Sequence, residues 1–416
     1  MRDVIFIGRF FPEKLRGSVI ADSKNKMGMS NHNFEMSIIN GLCAQDDINL
    51  RCITIPGVYS YPYNNKRFYT RRESYEYKGA AVESISFVNL PLVKEIWSTL
   101  SLAAKLIRRV RRCRDNKVDI IVNTPDNRLL RAVSIARFFL PSKMTQTVII
   151  QDVPSVLTEM DADMNPIKHF IVNAMDRSAM KMTSRSDGLV LLTEAMTDFF
   201  ERPIPHVVVE GLVDLSTMDK GHEDLSGEKE VILYTGTIRK IFGVMNLVEA
   251  FRKIQRQDVE LWICGSGDAK EDIEAAAKED ARIKFWGMVD SQKALRKQRQ
   301  ATILVNPRTS EGKYTRYSFP SKTMEYLLSG KNAVINRLPG IPQEYYEYVF
   351  VPENESVDSL AECLVKVLDT DMTTRNEISA RGRDFVISKK NSVTQMRKVI
   401  DMLYSYDNES DACDLK

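Results

Sequence analysis

The chain has 416 residues, 43% of them hydrophobic, and a formal net charge of +3. That length predicts two or three domains with sizeable cores, and so small a net charge excludes a polycationic nucleic-acid binder. Six cysteines, Cys43, Cys52, Cys113, Cys264, Cys363 and Cys413, show no paired short spacing, which argues against a disulfide framework and a zinc site and fits a reduced cytoplasmic setting.

The opening apolar run over 1–8 is too short for a signal peptide, and nowhere do about eighteen apolar residues run together. Short runs rich in Val, Ile and Phe alternate with longer helical patterns. Strands are predicted over 4–8, 51–56, 118–124, 147–151, 188–193 and 206–209, with a helix from about Asn31. A polar stretch over 214–230 reads as a linker. A second series of strands follows over 231–234, 261–264, 283–286, 302–305, 333–336 and 348–351. The expected architecture is α/β, with two tandem Rossmann-like domains. The first spans 1–212 and the second 213–388, and a C-terminal helix over 389–416 packs back on the first. Ligands of such sheets bind at strand carboxyl ends, which here predicts an interdomain cleft.

The helix after Tyr317 carries the sharpest signal. Pro320 suits a first helical position, so the helix is expected to start near Phe319. Its first turn then holds Lys322, although a helix start is already positive; an anion such as phosphate would resolve the conflict. Met324, Leu327 and Leu328 form the buried stripe, and Lys322 and Glu325 lie three apart on another face, where a plain surface ion pair is the simpler reading. The same oddity recurs at Thr235-Gly236-Thr237-Ile238-Arg239-Lys240, ahead of a helix expected near Gly243. There the glycines allow close backbone approach and Arg239 or Lys240 could grip a diphosphate. The loop Cys264-Gly265-Ser266-Gly267-Asp268 lacks the full dinucleotide fingerprint and reads more simply as a tight turn.

In the first half, Ser30 or Asn31 at the helix opening Gly28-Met29-Ser30-Asn31 reads as a plain helix cap at least as well as a ligand contact. Asp126 and Asp152 follow predicted strand ends, where capping accounts for them as well as catalysis does. Residues 101–150 hold eleven Lys or Arg against three acids. Within this stretch Arg108, Arg109, Arg111, Arg112 and Arg114 end an apolar, aromatic helix; that density exceeds what a helix end requires and is compatible with anionic lipid head groups.

Five runs together, Tyr234 to Lys240, Leu261 to Asp268, Ile283 to Gly287, Val305 to Arg308 and Ser318 to Leu327, resemble the family 4 retaining glycosyltransferases of GT-B fold. The likeness is closer still to the bacterial branch that builds surface polysaccharides. It is specific over about 188–350 and only topological before that. It implies transfer of a sugar from a nucleotide diphosphate donor to a glycan acceptor, lipid-linked in capsule, exopolysaccharide or O-antigen synthesis. No metal, cofactor or nucleic-acid partner is implied. The setting would be cytoplasmic, at the inner face of the plasma membrane. The family carries two glutamates eight positions apart; Glu325 matches the second, whereas Tyr317 stands at the first. Thr237 and Phe242 stand where the family has its basic pair, so Arg239, Lys240 and Lys322 are expected to take over the diphosphate charge, with Asp152 as a further catalytic candidate. The donor-binding set is Gly236, Thr237, Gly265, Gly267, Arg308, Tyr317, Ser318, Phe319, Ser321 and Glu325. Family histidines near these strands have no evident counterpart in His32, His169, His206 or His222. The departure at Tyr317 keeps open a non-catalytic nucleotide-sugar-binding subunit, and a transferase or epimerase acting on a soluble substrate also remains open.

Overall fold

The computed structural model describes residues 1–24, 29–69, 73–113, 117–153, 165–215 and 229–413. The chain divides into two compact units, Met1–Asp214 with Asn391–Lys416, and Leu215–Lys390. The linker expected over 214–230 lies mostly outside the described residues, and its last member, Glu230, already belongs to a strand.

The first unit is built on one eight-stranded sheet. Its order is His206–Val208, Gly188–Leu191, Met144–Ile150, Val118–Asn123, Arg2–Gly8, Ile48–Thr54, Ala80–Ser84, Ser74–Tyr77. All neighbours run parallel except the last pair. Val118–Asn123 is buried at all six positions, as a parallel strand covered on both faces requires. The helix Ser30–Cys43 connects strands in one direction along the sheet. Val93–Arg112, Asn127–Phe139 and Pro166–Thr183 lead in the other, so right-handed crossovers put these three on the opposite face. The C-terminal helix Ser392–Cys413 packs on Ser30–Cys43 so closely that a Cβ on Gly41 would lie 2.2 Å from the Ser392 carbonyl oxygen. Met396, Val399, Ile400 and Leu403 complete this core with Ile38, Ile39 and Leu42.

One hairpin escaped the sequence reading. Ser74–Tyr77 and Ala80–Ser84 are joined by Lys78 and Gly79, both at positive φ (47° and 84°). That is the turn geometry Asn-Gly usually signals, and a lysine in its first position hid it.

The second unit holds five parallel strands in the order Ile283–Gly287, Val259–Cys264, Glu230–Thr235, Ile303–Asn306, Asn332–Ile335. Val244–Arg252 packs with Val357–Asp369 in its main apolar cluster, and Met372–Lys389 packs on Ser321–Leu328. Side-chain caps define several helix starts: Asp290 accepts from the Lys293 amide, Ser356 from Ser359 and Asp371 from Thr374. The strand expected over 348–351 reduces to a lone bridge between Phe350 and Val334. Pro352 follows at once and has no N–H to extend a ladder.

Candidate functional site

In the second unit the chain leaves its central strand, Glu230–Thr235, first toward Val259–Cys264 and later toward Ile303–Asn306. The switch point therefore lies between the carboxyl ends of Glu230–Thr235 and Ile303–Asn306, the place where open α/β sheets take ligands. The loops after these strands touch. Gly243 sits at φ 74°, and a Cβ there would meet the Pro307 carbonyl oxygen at 2.2 Å. The Arg308 guanidinium lies 4.4 Å from the Phe242 ring centroid and 5.6 Å from that of Tyr314, and burial lowers its pKa. Tyr326 Oη accepts from the Thr235 amide at 3.2 Å, and Gln298 Nε2 donates to Thr235 Oγ1 at 3.1 Å and also to Glu325 Oε1.

The helix begins at Ser321, with Pro320 as its cap residue at ψ 102°, so Lys322 is the second helical residue and the expected start near Phe319 is corrected. Proline's ring fixes only φ, here −71°, which suits a residue just outside the first turn as well as one inside it. Lys322 Nζ donates to both oxygens of Glu325 at 2.8 and 2.7 Å, which makes the first-turn cation half of an ion pair. Lys240 Nζ is 2.6 Å from Asp272, whose carboxylate raises the ammonium pKa, and Arg239 Nε lies 4.0 Å from Asp268. Each cation expected to hold a diphosphate thus has a carboxylate beside it. These pairs are solvent-screened and readily given up for charge-assisted bonds to a phosphate.

The glycine loops are also bonded to one another. The amides of Gly236, Ile238 and Gly265 donate to the carbonyls of Cys264, Ser266 and Gly287 at 2.8–3.1 Å, so they hold the loops to one another. A Cβ on Gly265 would lie 1.8 Å from the Gly236 carbonyl oxygen, and one on Gly267 would lie 2.5 Å from that of Ile238. Thr237 accepts from Tyr234 through its carbonyl at 2.7 Å. The first turn of Ser321–Leu328 and the side chains of Arg239, Lys240, Arg308 and Lys322 can meet an anion. Three buried polar atoms near this helix start have no partner: Asn306 Nδ2, Ser318 Oγ and Thr323 Oγ1. Phe319 packs on Tyr345, with ring centroids 5.3 Å apart, Tyr317 is half-buried and Ser321 is exposed.

The first unit has a pocket of its own, lined by Arg9, Phe11, Asn31, His32, Glu35, Gly57, Asn123, Thr124 and Gln151. Glu35 is 2% exposed, accepts from the Arg9 amide at 2.8 and 3.0 Å and from Asn123 Nδ2 at 2.7 Å, and burial pushes its carboxyl up to about 7. Gln151 Nε2 donates on to Asn123 Oδ1 at 2.8 Å. His32 Nδ1 accepts from the Phe11 amide at 3.3 Å, and burial lowers the ring to about 4. Sequence reasoning missed both side chains. The one available signal was an acid set among Phe34, Met36, Ile38 and Ile39.

Of the aspartates, Asp126 caps Asn127–Phe139 through the Arg128 amide. Burial opposes its charge, but Arg128 outweighs that and holds the carboxyl well below the usual range, and Arg9 Nη1 lies 3.5 Å away. Asp152 follows Gln151 and is exposed. Neither Ser30 nor Asn31 caps the helix there: Met29 takes that position with no side-chain bond, and Asn31 faces the pocket. Gly28, Arg114 and His222 lie outside the described residues. Arg109 is tied to Glu83, whereas Arg108, Arg111 and Arg112 are exposed.

None of the curated proteins matches the chain. Among solved structures, sucrose-phosphate synthase from Thermosynechococcus elongatus superposes with a TM-score of 0.61 at 14% identity, covering 98% of this chain and 100% of that one. The α,α-trehalose 6-phosphate synthase of Burkholderia multivorans gives 0.61 at 11% identity, over 98% and 99%. TarM of S. aureus, in a complex with fondaparinux, α-GlcNAc-glycerol and UDP, gives 0.55 at 12% identity, over 97% and 99%. These likenesses establish the GT-B fold. Residues 229–370 match the family described as glycosyl transferases group 1, which covers the whole switch-point cluster of the second unit. The fold is GT-B, and the likeness to glycosyl transferases group 1 is confined to residues 229–370.

Proposed function

We propose that the chain is a retaining hexosyltransferase of the family 4 type that takes a nucleotide diphosphate sugar and extends a lipid-linked glycan of a bacterial surface polysaccharide. The observation that carries the donor half is the coincidence of the matched residues 229–370 with four basic side chains and a helix start at the switch point. The diphosphate would lie against the first turn of Ser321–Leu328, drawing Lys322 away from Glu325 and Lys240 away from Asp272. Glu325, freed in that exchange, would accept the ribose hydroxyls. The anomeric carbon would then trade its bond to the β-phosphate oxygen for one to the acceptor oxygen on the same face, and the acceptor's proton would leave with the diphosphate. Cations already drawn onto the bound diphosphate when the glycosidic bond breaks would stabilise the charge that grows on the leaving group, usually the largest single contribution to catalysis. The first unit's pocket, with Glu35, Asn123 and Arg9, would take the acceptor.

The test is calorimetric titration with uridine, guanosine and adenosine diphosphate sugars, followed by transfer assays with lipid-linked and soluble glycans. The reading expects one donor to bind and its sugar to reach a lipid-linked acceptor. Donor binding without transfer to any acceptor would support the non-catalytic subunit instead, and no donor binding by the folded chain would remove the proposal.

A further inference from the structure

The three helices on the outer face of the first unit carry an unusual surface. On Val93–Arg112 the outward residues of the first two turns are apolar: Ile96 is 64% exposed, Trp97 52% and Leu100 56%, and Leu92 just ahead of the helix is 79% exposed. About eleven residues further on, roughly 16 Å along the axis, the same outward stripe turns cationic at Arg108, Arg111 and Arg112. Pro166–Thr183 repeats the arrangement. Phe170 is 68% and Ile171 52% exposed, and Arg177 and Lys181 are exposed beyond them.

The two helices point the same way. Both lead back into parallel strands of one sheet, and both are in contact with Asn127–Phe139. Arg128, at the start of that middle helix, lies 3.5 Å from Glu95, and Asn127 beside it donates to the Met175 carbonyl at 2.9 Å. The apolar ends of these two helices therefore lie together toward the carboxyl edge of the sheet and their cationic ends toward its amino edge, where the helix between them adds the exposed rings of Phe138 and Phe139. A solvated helix face would mix signs and keep Trp and Phe covered.

We propose that this face docks on an anionic bilayer surface. Leu92, Ile96, Trp97, Leu100 and Phe170 would enter the boundary between head groups and acyl chains, with the arginines of the last turn on lipid phosphates. Charge complementarity selects this occupant over a second copy of the chain. The one acid of the Val93–Arg112 helix, Glu95, is near Arg128, so a two-fold contact would oppose like charges. No helix of the described residues is long and apolar enough to cross a membrane, and the contact proposed is with the surface. The inference extends the lipid-linked-acceptor reading, but its test uses neither donor nor acceptor, so the two can fail separately.

The test is flotation of the full chain with vesicles of phosphatidylcholine alone or with about one third phosphatidylglycerol. Wild type is expected to float with the anionic vesicles only, with blue-shifted emission that Trp97→Phe removes. Neutralising Arg108→Gln, Arg111→Gln and Arg112→Gln together should cut the partition coefficient by roughly 100-fold, at about five-fold per charge. Ile96→Ser with Trp97→Ser should lower it at least ten-fold while the circular dichroism spectrum stays that of wild type. Failure of wild type to float would overturn the proposal, as would flotation unchanged in both variants. A dimer in vesicle-free solution that Ile96→Ser with Trp97→Ser dissolves would assign the face to a second copy instead.

Discussion

Glu35 and His32 sit three residues apart on one helix and titrate in opposite senses. Burial pushes the carboxyl up from 4.5 to about 7 and the imidazole down from 6.5 to about 4. Between these limits the folded chain keeps a proton on Glu35 that the unfolded chain releases, which alone would make stability fall as pH rises. The unfolded chain keeps one on His32 that the folded pocket, by burying the ring, refuses; that alone would make stability rise. The two slopes nearly cancel between pH 4.5 and 6.5. Glu35→Gln is therefore expected to shift the slope of the first unit's unfolding free energy upward by as much as about 1.4 kcal/mol per pH unit, and His32→Gln to shift it downward by a similar amount. Urea denaturation across that window reads both, and equal slopes in the two variants would refute the pairing. At the donor site the roles of Lys322 and Glu325 separate in the same way. Lys322→Ala should lower turnover by two or more orders of magnitude with little change in stability, since a half-exposed pair contributes about 1 kcal/mol at most. Glu325→Ala should weaken donor affinity instead, and unchanged donor titration would count against its ribose role.

Among the elements, the glycines divide by what surrounds them. Gly265 faces the Gly236 carbonyl with no room for a Cβ, and Gly17, inside the exposed helix Glu13–Asp22, has nothing within 4 Å. Gly265→Ala should force the two loops apart, lowering the second unit's stability by about 1–3 kcal/mol and its donor affinity with it. Gly17→Ala should stabilise the first unit by roughly 0.5–1 kcal/mol through backbone entropy alone. Chemical denaturation of each variant separates these outcomes, and a stabilised Gly265→Ala would overturn the loop geometry. The same contrast shows what could be read from the residues. Runs such as Val118 to Asn123 announce themselves, because a strand buried on both faces has no polar alternation to confuse. The strand–loop–helix rhythm around Tyr234 to Gly243 was equally plain. Contacts far apart in sequence were not: Glu35 meets Asn123 across 88 positions, and Gly265 meets Gly236 through a loop packing that no local pattern encodes. Lys322 and Glu325 were legible as neighbours on one helix face. The ion pair they form is the simpler of the two readings that spacing offered.

For the whole molecule, the order of the chain and the order of folding need not coincide. The chain leaves the first unit at Asp214 and re-enters it at Asn391, and Val213 and Asn391 form a bridge, so a segment of 176 residues with its own core is inserted at one point of the first unit. The last helix belongs to the first unit's core. Met396, Val399, Ile400 and Leu403 are each at most 1% exposed, and Gln45 and Arg397 tie the helix to the Ser30–Cys43 region through bonds to Val393 and Asp47. Burial of those four side chains contributes on the order of 5–10 kcal/mol, comparable to the whole stability of a domain. Ending the chain at Lys390 is therefore expected to unfold the first unit while the second stays folded. Pulsed proteolysis should then digest residues 1–214 and leave a resistant fragment near 229–390. The full chain should show two protected fragments of different stability. If the truncated chain kept the first unit protected, the helix would be an appendage and not part of its core. Adding the peptide 391–416 in trans should restore protection, because its apolar face then has the same groove to fill.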